Sequence, residues 1–341
     1  MNRIKKTLAA VLMALLFLSG CSGQKDNPSV IESNDNLEVH FIDVGQGDAT
    51  LIRQGEYAML IDAGDNSKGT AMQAYLQSQN IDKLDYVIGT HPDSDHIGGL
   101  DVVLYKFDWD VVMMPDVDKD TRTYEDVVQV IQDKNRHITV PKAGEQYSLG
   151  AAEFTVVCPQ KADYGDNSND SSIGIRLEFG ETSFLFTGDA EEASERDMLE
   201  SGADVSADVF KAAHHGSDTA NTPEFLEAVN PKAVVISCGE GNSYGHPGAA
   251  VVNYLQKMGV DIYRTDEQGT IVACSDGRTI TWNTGRSENQ ERYVLNENTG
   301  KFHKPSCNSV EEMAEKNRNY VEKSREELLE EGYEPCKRCN P

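Results

Sequence analysis

From Leu37 to Trp282 the chain alternates short apolar runs with stretches of helical periodicity. Leu37 to Asp43 and Ala49 to Arg53 read as strands around the tight Gly45-Gln46-Gly47 turn, and Tyr57 to Asp62 as a further strand ending at Ala63-Gly64. Thr70 to Gln79 carries apolar residues at helical spacing and precedes the strand-like Tyr86-Val87-Ile88-Gly89. The same patterns predict strands at Asp110 to Met114, Glu153 to Cys158, Gly174 to Phe179, Ser183 to Thr187, Val209 to Ala213, Ala233 to Ser237, Asp261 to Arg264, Thr270 to Ala273 and Thr279 to Trp282. Helices are predicted at Tyr124 to Lys134, Ala190 to Ser201, Pro223 to Val229 and Ala249 to Met258. Two β-rich halves with helices between them suit a mixed α/β sandwich of sheets with outer helices and loops gathered at one edge.

The flanks differ. Arg3, Lys5 and Lys6 precede the apolar run Leu8 to Leu18, which is short for a bilayer span but suits a signal-peptide core. Leu18-Ser19-Gly20-Cys21 resembles a bacterial lipobox. That resemblance implies a leader over residues 1–20, lipid modification of Cys21, and an exported protein anchored on the outer face of a bacterial membrane; an ordinary secretory signal with a chance cysteine is the alternative. Residues 21–36, rich in Asn, Ser and Asp, read as a flexible linker. Residues 37–284 are expected to form the main domain and 285–341 a small second one.

Charge narrows the functions. Across 341 residues, 57 acidic side chains face 31 basic ones, a net charge of -26 that repels polyanions over long range. From Arg286 to Pro341, 10 Lys and Arg nearly balance 12 Glu, so the tail can approach phosphate where the body does not. In that tail His303 and Cys307 form H-x-x-x-C, and Cys336 and Cys339 form C-x-x-C. Two ligand pairs one helix length apart suit a structural zinc, with a Cys336–Cys339 disulfide as the alternative. Ser309 to Leu329 has the charge density of an exposed helix. Cys158, Cys238 and Cys274 sit singly in apolar contexts, as buried small hydrophobes do.

The densest chemistry is Thr90-His91-Pro92-Asp93-Ser94-Asp95-His96-Ile97-Gly98-Gly99, with four potential metal ligands in six residues directly after a strand. His91 and Asp93 can serve one divalent ion and Asp95 and His96 another. Asp189 ends the Phe184 to Thr187 strand, where one carboxylate can bridge two ions, and His214 and His215 end another strand. Asp62 is placed to orient the ligand imidazoles. His246 follows a strand in a glycine-rich loop and can protonate a leaving oxygen or bind phosphate, though a structural His-Pro turn reads equally well. Ser217 and the amides around Gly216 can form a small anion site. His40 reads as a packing residue.

Asp62 to Gly64, His91 to His96, Thr187 to Asp189 and His214 to Ser217 together resemble, in order and spacing, the metallo-β-lactamase fold. More narrowly, Phe41 to Ala49, the T-H-P-D-S-D-H-I-G-G run and Asn242-Ser243-Tyr244-Gly245-His246-Pro247 resemble the hydrolase domain of ComEC-type competence proteins, over roughly Leu37 to Asn283. The resemblance implies an αββα sandwich, a dinuclear centre and a DNA-degrading role at the cell surface; no channel segment accompanies it, so DNA import by this chain is not expected. Two cations, Zn2+ or Mn2+, would activate a shared water, and no organic cofactor is needed.

Many members of the wider fold carry a second His where this chain has Asp93, and a further ligand His before the bridging Asp. In that interval lies His137, in a polar connection, whereas Asn169, Asp170 and Ser171 stand nearer the expected place. The resemblance therefore puts His91, Asp93 and Asp189 on one ion, and Asp95, His96, Asp189 and one of His214 or His215, with His214 favoured, on the other. Asp95, His246 and His215 form the expected catalytic set. Tyr293 to Cys339 resembles the zinc-binding module of the Ada DNA-repair protein, with His303 in place of a Cys. Lys301, Lys304, Lys337 and Arg338 flank its ligands and can meet phosphate. Cleavage of phosphodiester bonds in DNA is the leading expectation, beside a small-molecule ester, lactone or phosphodiester hydrolase and a non-catalytic surface DNA-binding lipoprotein.

Overall fold

In β-strands alternate residues face opposite sides, so a strand buried on both faces must be apolar at both parities. In Tyr57–Ile61, Met59 and Ile61 pack into the layer between two sheets, while Ala58 and Leu60 pack under helices. The computed structural model describes residues 36–117, 119–285, 291–305, 307–311, 313–339 and 341. The expected leader, Cys21 and the linker up to residue 35 lie outside the described residues.

One sheet of eight strands runs, in spatial order, Ile280–Thr284, Ile271–Ser275, Leu37–Phe41, Thr50–Gln54, Tyr57–Ile61, Lys83–Ile88, Asp108–Met113 and Ile138–Thr139. A second of seven runs Asp261–Arg264, Ala233–Ile236, Val209–Lys211, Thr182–Phe186, Gly174–Phe179, Ala152–Cys158 and Gln146–Leu149. Phe41, Ile52, Met59, Phe154, Leu177, Phe184 and Phe186 fill the space between them. Helices Gly69–Ser78, Leu100–Lys106 and Arg122–Asp133 cover the first sheet, and Glu192–Ser201, Pro223–Val229 and Ala249–Met258 cover the second. The result is the expected αββα layering.

Several elements differ from the pattern reading. Leu100–Lys106 is a helix whose Leu100, Val103 and Leu104 are buried at helical spacing directly after the Gly-Gly pair. Ser309 to Leu329 is not one helix: Arg318–Lys323 is a strand paired antiparallel with Glu291–Asn296, Tyr293 opposite Val321 and Val294 opposite Tyr320. Pairing with an apolar neighbour strand overrides the local charge density. Those two strands join Lys301–His303 and Glu334–Pro335 in a separate four-stranded sheet. Among the described residues no helix is long and apolar enough to cross a membrane.

The layers bring the ends of parallel strands to one edge. Tyr57–Ile61 runs parallel to Lys83–Ile88, and Thr182–Phe186 parallel to Val209–Lys211 and on to Ala233–Ile236. The loops leaving these strands carry Asp62, His91, Asp189 and His214. The Gly98-Gly99 pair lets the ligand loop close on the first sheet: Gly99 N donates to the Gly64 carbonyl at 3.0 Å, and a Cβ on Gly99 would lie 2.4 Å from the Ala63 carbonyl oxygen. Gly99→Ala is expected to destabilise the protein by roughly 1–3 kcal/mol through this overlap, read as a lower denaturant midpoint at unchanged slope; an unchanged midpoint would contradict the close approach.

Candidate metal centre

Asp62 sits at φ 58, a left-handed conformation unfavourable for a residue with a Cβ. What holds it there is its own hydrogen bonding. Its Oδ1 accepts from Thr90 N at 2.9 Å, and its Oδ2 accepts from Thr90 Oγ1 at 2.7 Å and lies 2.8 Å from His96 Nδ1. A carboxylate on Nδ1 fixes the ring so that Nε2 carries the free lone pair. His214 and His215 are likewise left-handed, at φ 49 and 55, which turns two consecutive imidazoles toward the same edge.

The rings converge on one atom. Asp189 Oδ2 lies 3.2 Å from His96 Nε2, 3.6 Å from His214 Nε2, 3.7 Å from His215 Nε2 and 4.0 Å from His91 Nε2. Outward nitrogens are held by carboxylates: His214 Nδ1 is 3.1 Å from Glu191 Oε1, and His215 Nδ1 is 3.1 Å from Asp48 Oδ1 and 3.0 Å from the Ser237 carbonyl. Asp95 Oδ2 lies 3.2 Å from His215 Nε2. His91 Nε2, His96 Nε2 and Asp189 Oδ1 are buried yet complete no hydrogen bond. Buried polar atoms are rarely left so, and imidazole nitrogens with a shared carboxylate are the donor set of a divalent cation, so these residues fit one. Asp48, His96, Asp189 and His215 each place a donor atom within 4.8 Å of the others.

The remaining residues expected at the site are placed differently. Asp93 Oδ1 accepts from Lys119 Nζ at 2.7 Å and from Ser168 Oγ at 3.1 Å, so its carboxylate is already engaged by an ammonium. Asp170 Oδ1 accepts from the backbone of Glu191 and Ser194 at the start of helix Glu192–Ser201, which accounts for its burial there. His246 stands beside the cluster, its ring centroid 5.4 Å from His214 and 6.0 Å from His215. His137 is exposed, and His40 is buried against the Tyr75 hydroxyl at 2.8 Å.

Asp48, Lys211 and Glu191 also belong to the site, although no single-residue motif marks them. Lys211 Nζ is buried and 2.8 Å from Asp48 Oδ2, balancing the carboxylate that holds His215. Its signal was visible: a lysine inside an apolar strand must find an anion. Glu191 gathers His214, Thr219, Asn167 and Asn169.

On the protein's own charges, burial disfavours charge on His96, yet Asp189 and Asp62 outweigh it and raise its pKa well above the imidazole norm. Burial likewise opposes, and Asp189 and Asp48 override, so that His215 rises to about 9. Burial and the nearby His96 lower His91 to about 4. Burial would lift Asp189, but His96 and His215 hold it well below the carboxylate range. The centre therefore needs positive charge, and protons on His96 and His215 or divalent cations can provide it.

A second cluster lies in the four-stranded sheet region. His303, Cys307, Cys336 and Cys339 bring their donor atoms within 4.8 Å of one another, and neither His303 nitrogen has a hydrogen-bond partner. Cys336 Sγ and Cys339 Sγ accept from the backbone of Arg338 and Lys304 at 3.4 Å. The described cysteines form no disulfide. The donor set fits zinc.

The model of the Metallo-beta-lactamase superfamily matches residues 42–240. The chain belongs to this superfamily, as a metal-dependent hydrolase. It is 28% identical over 284 residues to ComE operon protein 3 of Bacillus subtilis (strain 168), covering 77% of this chain and 35% of that protein. It is 28% identical over 261 residues to Competence protein ComA of Neisseria gonorrhoeae, covering 76% and 35%. The chain thus spans about a third of the length of these relatives, and the likeness to competence proteins drawn from its motifs is borne out. Among solved structures, the metallo-beta-lactamase fold protein YhfI from Bacillus subtilis aligns at a TM-score of 0.48 and 12% identity, over 73% of this chain and 100% of that one.

The His214–His215 turn is framed from behind. Asn221 bonds Ala213 N, Ala213 O and Ser217 O through its side chain, and the Asn221 and Thr222 amides donate to Glu195. Burial raises Glu195 from 4.5 to about 7, against those hydrogen bonds. A carboxyl whose folded pKa exceeds its unfolded value costs stability as pH rises from the lower value through the higher. Relative to Glu195→Gln, the native protein should therefore lose up to about 3 kcal/mol between pH 4.5 and 8. Denaturant midpoints of both proteins across that range check it, and a difference independent of pH would contradict it.

Proposed function

We propose that this chain hydrolyses phosphodiester bonds of DNA, held at the cell surface by a lipid on Cys21. The observation that supports it most is the set of four imidazole Nε2 atoms around Asp189 Oδ2, in a chain similar to competence proteins. His91, His96, Asp95, Asp189, His214 and His215 would hold the divalent cations, Zn2+ or Mn2+, with Asp93 reaching them only by giving up Lys119. Bound cations would supply a hydroxide nucleophile and Lewis-acid stabilisation of charge on phosphorus. Asp62, Asp48 and Glu191 keep the imidazoles aimed inward. Burial, then His215 and His214, lowers the pKa of His246, which favours the uncharged ring that would serve as a hydrogen-bonding partner for phosphate.

The net charge of -26 favours a second reading, a small ester, lactone or phosphodiester substrate that is repelled less. Plasmid and single-stranded DNA incubated with the purified protein and Mn2+ or Zn2+ separate the two. Metal-dependent cutting should fall by at least about a hundredfold in Asp189→Asn, beyond the loss typical of an outer partner. Metal-loaded protein that cuts neither DNA would defeat the DNA reading in favour of the small substrate.

For His303, Cys307, Cys336 and Cys339 we propose a structural Zn2+. Purified protein should carry one zinc that survives Asp189→Asn and is lost in Cys336→Ser with Cys339→Ser, measured by metal analysis. Zinc retained in the double serine variant would contradict this assignment.

A further inference from the structure

Tyr244 is 71% exposed, the most open large apolar side chain among the described residues. An exposed aromatic is ordinary by itself. Its setting is not. The Tyr244 ring stacks on His246, with centroids 5.8 Å apart and planes at 23°. His246 in turn lies 5.4 Å from His214, whose Nε2 is 3.6 Å from Asp189 Oδ2. A file of rings thus leads from the metal centre to solvent.

The loop that carries Tyr244 is braced. Asn242 Nδ2 donates to the Gly239 carbonyl at 2.9 Å and the His246 carbonyl at 2.6 Å, while its Oδ1 accepts from Tyr244 N at 3.2 Å and His246 N at 3.0 Å. One side chain thereby closes the turn from both sides, so the ring is presented in a set place. Beneath it, His246 Nδ1 is buried and completes no hydrogen bond. A cavity of about 440 Å³ opens beside the loop, lined by Asn242, His246, Pro247, Val252 and Arg264 among others.

We propose that Tyr244 is a stacking platform for a nucleobase next to the bond cleaved at the metal centre. The proposal rests on the phosphodiester reading above. Every base offers a π-face, so such a platform binds without sequence preference. It also suits a protein of this charge: stacking does not depend on neutralising phosphates, which the acidic body disfavours. A paired base keeps its faces inside the duplex, so the platform favours single strands or unpaired ends.

The test compares native protein, Tyr244→Ala and Tyr244→Phe on an oligothymidylate and an abasic strand of equal length, by fluorescence anisotropy and by Mn2+-dependent cleavage. Tyr244→Ala should weaken oligothymidylate binding about tenfold and raise KM to match, with kcat little changed. Tyr244→Phe should stay within about twofold of native protein, and the abasic strand should bind all three alike. Equal loss on both strands, no loss on either, or no binding of either strand by native protein overturns the platform. Cleavage that persists while the Tyr244 effect is absent leaves the DNA-cleavage reading standing; base-dependent binding without cleavage overturns the DNA-cleavage reading and keeps the platform as a binding site.

Discussion

The structure depends on carboxylates that hold imidazoles from behind. Asp62 on His96, Asp48 on His215 and Glu191 on His214 each occupy one ring nitrogen and leave the other directed at Asp189. Burying such charges is expensive unless each finds its partner, so these pairs commit the chain to one arrangement of its loops. Removing one partner would strand a buried charge, a larger loss than the hydrogen bond itself.

The fold supplies the partners from distant points in the chain. Asp48 and His215 are 167 residues apart and meet because the two sheets end at the same edge. Lys211, on a buried strand, then balances Asp48. The left-handed backbone at Asp62, His214 and His215 is tolerated because the surrounding hydrogen bonds over-determine it. Packing between the sheets therefore sets the geometry of the centre, and the centre's charges in turn select that packing.

Much of this was legible in the residue pattern, and the failures have physical causes. Apolar runs such as Phe184 to Thr187, buried on both faces, marked the inner strands, and the polar residues ending them marked the edge. The short strands Ile138–Thr139 and Gln146–Leu149 carry few apolar residues and owe their form to pairing, so no local signal announced them. Arg318–Lys323 is a strand for the same reason. At the centre, Asp93 looks equivalent to Asp95 from spacing alone; Lys119 and Ser168, brought by two separate loops, distinguish them. A turn aspartate after glycine such as Asp48 is commonplace, and what makes this one different is a lysine far along the chain.

The central claim is that divalent cations share the Asp189 carboxylate within the ring of histidines. Anomalous diffraction from crystals loaded with Mn2+ tests it most directly. The account predicts anomalous peaks about 2.0–2.3 Å from Asp189 and from Nε2 of His96 and of His215. Saturating Mn2+ that leaves this ring without a peak, or binds away from Asp189, would contradict it.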